Sequence, residues 1–327
     1  MTRAERRPVV THDPRPVVPP RMRAIRLHQP GGPEALVFEE VETPRPGRGE
    51  VLVRVVAAAI TRDELTWPVD RLPAIPSYEL SGEVTAAGSE VEGVSTGDEV
   101  FALTGFDRDG AAAEYAAVPA RYLAPRPATL GDIEAAAAPL AGLTAWQGLF
   151  EHGRLEAGQR VLIHGAAGGV GHLATQLARW RGARVIGTAT GEAVEVVRQL
   201  GAVEVVDRKR DRFEDVLEPV DLVLDTVGGE VLGRSAAVVR PGGRLVSVAE
   251  DPPELSSDLR IEASYFVVEP NGDQLAELSQ LIDAGELRPA VDSVFPLAEA
   301  RTAFERTAVR GKRGKIVLRV AGEAAGA

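Results

Sequence analysis

Hydrophobic and polar residues recur along the chain with two periods, and the change falls near Pro139. Before it the period is two: residues 23–27, 36–41 and 50–58 read as strands, with Pro44-Arg45-Pro46-Gly47-Arg48-Gly49 as a turn before the third. Residues 80–87, 99–103 and 112–118 continue the series between glycines and prolines. This half is expected to be mostly β, a partly closed barrel. After Pro139 short apolar runs at 161–163, 184–188, 203–206, 221–225, 244–248 and 265–268 read as strands, and 193–200 and 231–239 as helices between them. The alternation predicts an α/β doubly wound parallel sheet with helices on both faces, and six strands make a full dinucleotide fold. A helix over 274–284, a strand over 289–295, a helix near 298–307 and a strand over 315–320 follow. The last two strands lie outside the alternation and are free to rejoin the first half.

The sharpest local pattern is at residues 160–182. Val161, Leu162 and Ile163 suit a strand buried on both faces. Val170, Leu173, Ala174, Leu177 and Ala178 fall at helical spacing and place one apolar stripe against a sheet. Between them Ala166-Ala167-Gly168-Gly169-Val170-Gly171 fits G-x-G-x-x-G with alanine in first place. Gly168 lets backbone approach a pyrophosphate, Gly171 lets helix pack on strand, and the N–H groups of the helix's first turn face negative charge. The glycines alone describe a turn as well as a phosphate cradle; the strand before and the helix after select the cradle. Val227 and Gly228, at the end of the fourth strand, fit a backbone approach to ribose.

Composition narrows the chemistry. The chain has 327 residues, 44% hydrophobic, enough for two domains, and a net charge of −11, which excludes the basic footprint of a nucleic-acid or anionic-membrane partner. Cysteine is absent, which removes disulfides, thiolate catalysis and sulfur-ligated zinc. His12, His28, His152, His164 and His172 show no metal-ligand spacing, so no metal site is expected. No apolar run approaches the ~18 residues of a membrane span. Residues 1–21 hold five arginines against Glu5 and Asp13, with five prolines and no apolar core; they read as a disordered tail, an extension or a misplaced start ahead of Met22. A cytoplasmic protein is expected.

The order of motifs resembles the medium-chain dehydrogenase/reductase superfamily, in its zinc-independent quinone oxidoreductase branch. The resemblance runs from Met22 to about Val320. It rests on Val51-Leu52-Val53-Arg54-Val55, Pro76-Ser77-Tyr78-Glu79-Leu80-Ser81-Gly82, Ser95-Thr96-Gly97-Asp98-Glu99-Val100, Gly142-Leu143-Thr144-Ala145-Trp146, the 161–171 unit, Asp225-Thr226-Val227-Gly228-Gly229 and Gly314-Lys315-Ile316-Val317-Leu318. It implies a GroES-like catalytic domain (22–139 and 271–327) around a Rossmann domain (140–270), with NADPH between them. In zinc-dependent relatives the Tyr78 position carries a histidine ligand and cysteines supply the others, so the superfamily's catalytic cation is not expected here.

The place of the acid that holds a ribose 2′-hydroxyl in NAD-selective folds falls, by counting, on Thr188, and Thr190 adds a hydroxyl; with Glu192 as a complication, the reading leans to NADPH. The lysine and tyrosine that grip the 2′-phosphate in the resembled branch correspond to Ala193 and Arg208. The resemblance also implies that Thr144, Phe266 and Val267 contact the nicotinamide end and that Lys315 sits in the cleft. Ala166, Gly168, Gly169, Val170, Gly171, Thr188, Thr190, Arg208, Val227 and Gly228 complete the expected cofactor set. An electron-poor small-molecule acceptor, a quinone or an α,β-unsaturated carbonyl, is expected to meet Thr61, Trp67 and Tyr78, with Tyr78 as candidate proton donor. Two alternatives stay open: an enoyl-thioester reductase, and a nucleotide-binding redox sensor with little turnover. A homodimer through the Rossmann sheet edge near 265–268 is implied by resemblance.

Overall fold

The computed structural model describes residues 18–68, 71–254, 260–309 and 311–321. Most of the expected tail lies outside these residues; within them, Arg21 already belongs to a strand.

The period-two region forms β1 (Arg21–Leu27) and β2 (Leu36–Glu42), an antiparallel pair, then β3 (Glu50–Ile60), β4 (Glu79–Ala87), β5 (Glu99–Leu103), β6 (Tyr115–Pro119) and β7 (Leu123–Pro125). Two helices cross to the second domain: α1 (Asp132–Ala136) and α2 (Pro139–Trp146). There follow β8 (Arg160–Ile163), α3 (Gly171–Trp180), β9 (Arg184–Ala189), α4 (Ala193–Gln199), β10 (Glu204–Asp207), α5 (Phe213–Val216), β11 (Val220–Asp225), α6 (Gly229–Ser235), β12 (Val239–Ser247) and β13 (Glu262–Tyr265). The chain closes with α7 (Gly272–Asp283), β14 (Val291–Pro296), α8 (Ala300–Ala308) and β15 (Lys315–Arg319).

The second domain is a six-stranded parallel sheet in the order β10-β9-β8-β11-β12-β13. Strand order therefore reverses between β8 and β11, the crevice where doubly wound folds bind ligands. The first domain is a seven-stranded sheet, β14-β15-β3-β4-β5-β7 with β6 on β3, so both late strands do rejoin the first half. It is the expected GroES-like unit beside a Rossmann-like one. The helix expected over 231–239 stops at Ser235 and passes through a 3-10 turn into β12. The strand expected over 265–268 lies upstream, at Glu262–Tyr265, because parallel register with β12 pairs Glu262 with Arg244 and Tyr265 with Ser247.

One core joins the two domains. Leu140 and Leu143 of α2, Leu173 and Leu177 of α3, and Leu275 and Leu278 of α7 are buried together with Phe101 and Leu103 of β5. A Cβ on Gly142 would lie 2.9 Å from a Leu278 methyl, so a small residue in α2 sets the closeness of α2 and α7.

Candidate active site

The glycine loop leaves β8 at the carboxyl edge of the sheet and enters α3 at Gly171. A Cβ on Gly171 would stand 2.2 Å from the Gly165 carbonyl oxygen, so the first turn of α3 lies directly on the strand's end. The N–H groups of Gly169 and Val170 have no acceptor among the described residues, which leaves them for an anion at the positive end of the helix. Ala166 is wholly buried, its N–H donating to the Thr188 carbonyl (3.2 Å). A Cβ on Gly169 would lie 3.2 Å from Cδ of Lys315, so the loop backs onto the stem of a lysine carried by the other domain. Unpaired donors, a bare backbone and an opposed lysine fit the pyrophosphate of a dinucleotide.

Lys315 opens β15 and is 5% exposed. Its Nζ donates to Thr61 Oγ1 (2.7 Å) and stands 2.6 Å from Glu79 Oε1, outside hydrogen-bond geometry, so charge holds that pair. The other Glu79 oxygen accepts the N–H of Leu140 (2.9 Å) in the first turn of α2, where a carboxylate also meets the helix dipole. Burial pushes the Glu79 carboxyl up, and Lys315 pulls it back. Glu79 thus ties β4, the crossing helix α2 and Lys315 to one point. Thr144, one turn along α2, is 4% exposed and its hydroxyl donates to the Leu140 carbonyl (2.6 Å).

Glu64 sets the approach to β4. It is buried in a turn after Asp63, which has φ 64°. Its oxygens accept the N–H groups of Thr61 (2.8 Å) and Ser77 (3.0 Å), and Ser77 itself is left-handed at φ 67°. Burial raises the Glu64 carboxyl to about 8, against those two hydrogen bonds and the Lys315 charge. The clamp brings the rings of Trp67, Tyr78 and Phe106 together, with centroids 5.1 to 6.1 Å apart. Thr61, Trp67 and Tyr78, expected on the acceptor side, are therefore neighbours through one buried acid.

Beyond the loop the expected residues divide. β9 runs to Ala189, so the position past its end is Thr190, not Thr188. Thr188 is fully buried: its hydroxyl accepts the Gly165 N–H (3.2 Å) and lies 3.3 Å from Nδ1 of His164, which removes it from contact with a ribose. Arg208 sits beside that end, its N–H on the Ala189 carbonyl (3.1 Å), and its exposed guanidinium has no ion pair or hydrogen bond among the described residues. Glu192 is paired with Arg313 of the other domain at 3.0 Å. The N–H groups of Val227 and Gly228 turn back to the Asp225 carboxylate at 3.3 and 2.9 Å. Phe266 packs its ring on His152 (4.2 Å) while Val267 is 57% exposed, both just past β13.

The family described as alcohol dehydrogenase GroES-like domain matches residues 47–128, and that described as zinc-binding dehydrogenase matches residues 200–318. The chain is 33% identical to the chloroplastic NADPH-dependent alkenal/one oxidoreductase of Arabidopsis thaliana, over 92% of this chain and 80% of that protein. It belongs to the medium-chain dehydrogenase/reductase superfamily, in its zinc-independent quinone oxidoreductase branch. The quinone oxidoreductase of Mus musculus is 32% identical over 91% of this chain and 97% of that one. The solved quinone oxidoreductase from Coxiella burnetii superposes with a TM-score of 0.83 at 33% identity, covering 92% of this chain and 100% of that chain. This superfamily member is an oxidoreductase carrying the nicotinamide-cofactor fold. Among its described residues no group of three or more His, Asp or Glu is placed to hold a metal ion, and no helix is long and apolar enough to cross a membrane.

Sequence reasoning missed four buried polar residues of this oxidoreductase. Asp225 holds the turn after β11, and Glu64 holds Thr61 and Ser77 together. His164 lies between Thr188 and Ser235 (3.0 Å to Oγ), and burial lowers it to about 3. His172 sits inside the glycine-loop helix, lowered to about 4 by burial. Only its place one residue after Gly171 could have drawn attention to it.

Proposed function

We propose that the protein is an NADPH-dependent reductase of quinones or α,β-unsaturated carbonyls. The observation that carries this reading is the apposition of Gly169 and Lys315, which faces the phosphate-cradling loop with the domain holding the Trp67, Tyr78 and Phe106 cluster. NADPH bound there supplies the hydride. The chain's own part is to bind and orient. Gly168, Gly169, Val170 and Gly171 offer backbone to the pyrophosphate, and Lys315 adds a charge held in place by Glu79 and Thr61. Thr190 and the unpaired Arg208 stand where a 2′-phosphate needs a cation. The aromatic rings offer an apolar surface to a planar conjugated acceptor, with Tyr78 as the candidate hydroxyl for proton delivery. The names of the relatives, an alkenal/one oxidoreductase and a quinone oxidoreductase, support the same class.

The test is a steady-state screen of NADPH oxidation against quinones, enals and acyl-CoA esters, run beside the Arg208→Glu variant. Turnover with a quinone or an enal is expected, with NADPH affinity in the variant weakened about tenfold or more and NADH affinity unchanged. Turnover on acyl-CoA esters alone would make the protein a thioester reductase. Tight NADPH binding without oxidation by any acceptor would make it a sensor, and equal loss of both nucleotides in the variant would end the 2′-phosphate role of Arg208.

A further inference from the structure

We propose that His172 is a positioning residue that fixes the glycine loop to the acceptor-side domain and so sets nucleotide affinity; this rests on the dinucleotide reading above. The imidazole is 2% exposed and bonded at both edges. Its Nε2 accepts the N–H of Ala290 (3.0 Å), which leaves the proton on Nδ1, donated to the carbonyl of Gly168 (2.9 Å). The Ala290 carbonyl in turn accepts the N–H of Lys315 (2.9 Å), and the Lys315 side chain returns to Gly169. Gly168, His172, Ala290 and Lys315 thus close a ring across the domain boundary. The ring holds the loop's backbone and the lysine stem opposite it at one separation.

Docking of the two domains does not by itself need this histidine. One turn along α3, Gln176 holds the same segment by a pair of bonds to the N–H (3.0 Å) and carbonyl (3.1 Å) of Arg288. What His172 adds is the link to Gly168, the loop residue expected to meet the pyrophosphate. Only an imidazole kept neutral can donate at one edge and accept at the other, and burial keeps it so. Lys315 is the charged group that faces it, and repulsion from that charge acts in the same sense.

The experiment compares His172→Leu, His172→Asn, His172→Gln and Gln176→Leu in the full chain. Readouts are NADPH binding by titration calorimetry, KM and kcat with a working acceptor, and thermal melting. Asn preserves the edge that donates to Gly168; Gln preserves the edge that accepts from Ala290. His172→Leu is expected to weaken NADPH binding and raise its KM about tenfold, the worth of one well-placed hydrogen bond, with kcat within about twofold. His172→Asn should regain most of the affinity, and Gln176→Leu should lower the melting temperature with affinity within about twofold of wild type. Unchanged binding in a folded His172→Leu protein overturns the proposal. If that variant does not fold, the Asn and Gln proteins decide: Gln binding as tightly as Asn also overturns it. Wild-type protein that binds no dinucleotide would instead defeat the underlying reading.

Discussion

A carboxylate sealed from water needs donors for both oxygens, and Glu64 takes them from the backbone of Thr61 and Ser77. Even so, burial raises it from an ordinary 4.5 to about 8, so the folded chain holds a proton there that the unfolded chain has released. Its contribution to stability is complete below 4.5 and is lost as pH rises through 8; the carboxyls of Glu79 and Asp225, raised by burial, act in the same direction. His164 and His172 act oppositely. Lowered from 6.5 to about 3 and about 4, they favour the fold above 6.5 and cost it as pH falls. The melting temperature is therefore expected to peak near neutral pH and to fall toward pH 8, more shallowly in Glu64→Gln; a wild-type melting temperature that climbs to pH 8 would refute this assignment. Glu64→Gln should melt lower at pH 6, because its amide N–H₂ meets a backbone N–H where an oxygen had accepted one. Residues of this kind were the least legible in the sequence. Counting found the end of β9 to within two residues, but it could not tell that Thr188 turns inward to Gly165 while Thr190 lies past the strand.

At the scale of elements far more of the fold is legible, because periodicity and glycine spacing are local signals. The 160–182 unit appears as β8, loop and α3, and the two late strands rejoin the first half, β15 on β3 and β14 on β15, as their place outside the alternation allowed. The misplaced sixth strand has a physical cause: the apolar run Phe266-Val267-Val268 looks like a strand, yet the sheet pairs the more polar Glu262–Tyr265. Glycines separate into kinds that only the structure distinguishes. Gly314 has φ 82°, and a Cβ there would stand 2.0 Å from the Ala290 carbonyl oxygen, at the junction of β14 and β15. Gly233, inside α6, has nothing within 4 Å of that place and an ordinary helical backbone. Gly314→Ala is expected to destabilise by about 3 kcal/mol through strain and collision, whereas Gly233→Ala is expected to stabilise by about 0.5 to 1 kcal/mol. Urea midpoints at constant m-value check both, and a Gly314→Ala protein as stable as wild type would mean that the β14–β15 junction is loose.

For the whole molecule, the parallel sheet leaves two open edges, and they differ in chemistry. β10 runs into Asp207-Arg208-Lys209-Arg210-Asp211, a charged stretch of the sort that keeps an edge from pairing. β13 carries one charged side chain, Glu262, already paired with Arg244 of β12 at 3.0 Å. Among the described residues this strand pairs only with β12, and it ends in exposed apolar side chains, Tyr265 at 38% and, just beyond, Val267 at 57%. A short edge with apolar flanks is expected to meet its own copy about a two-fold axis by antiparallel pairing, which would continue one sheet through both protomers and remove the free edge. Such a dimer places its contact at β13, the edge strand of the Rossmann sheet, and leaves the His172 and Lys315 ring within each protomer. Sedimentation equilibrium at micromolar concentration is expected to give twice the 34.7 kDa chain mass. Tyr265→Arg puts a charge at the pairing edge and is expected to shift that equilibrium toward monomer with the far-UV spectrum unchanged. A wild-type monomer at that concentration, or a Tyr265→Arg protein as dimeric as wild type, would move the contact away from β13.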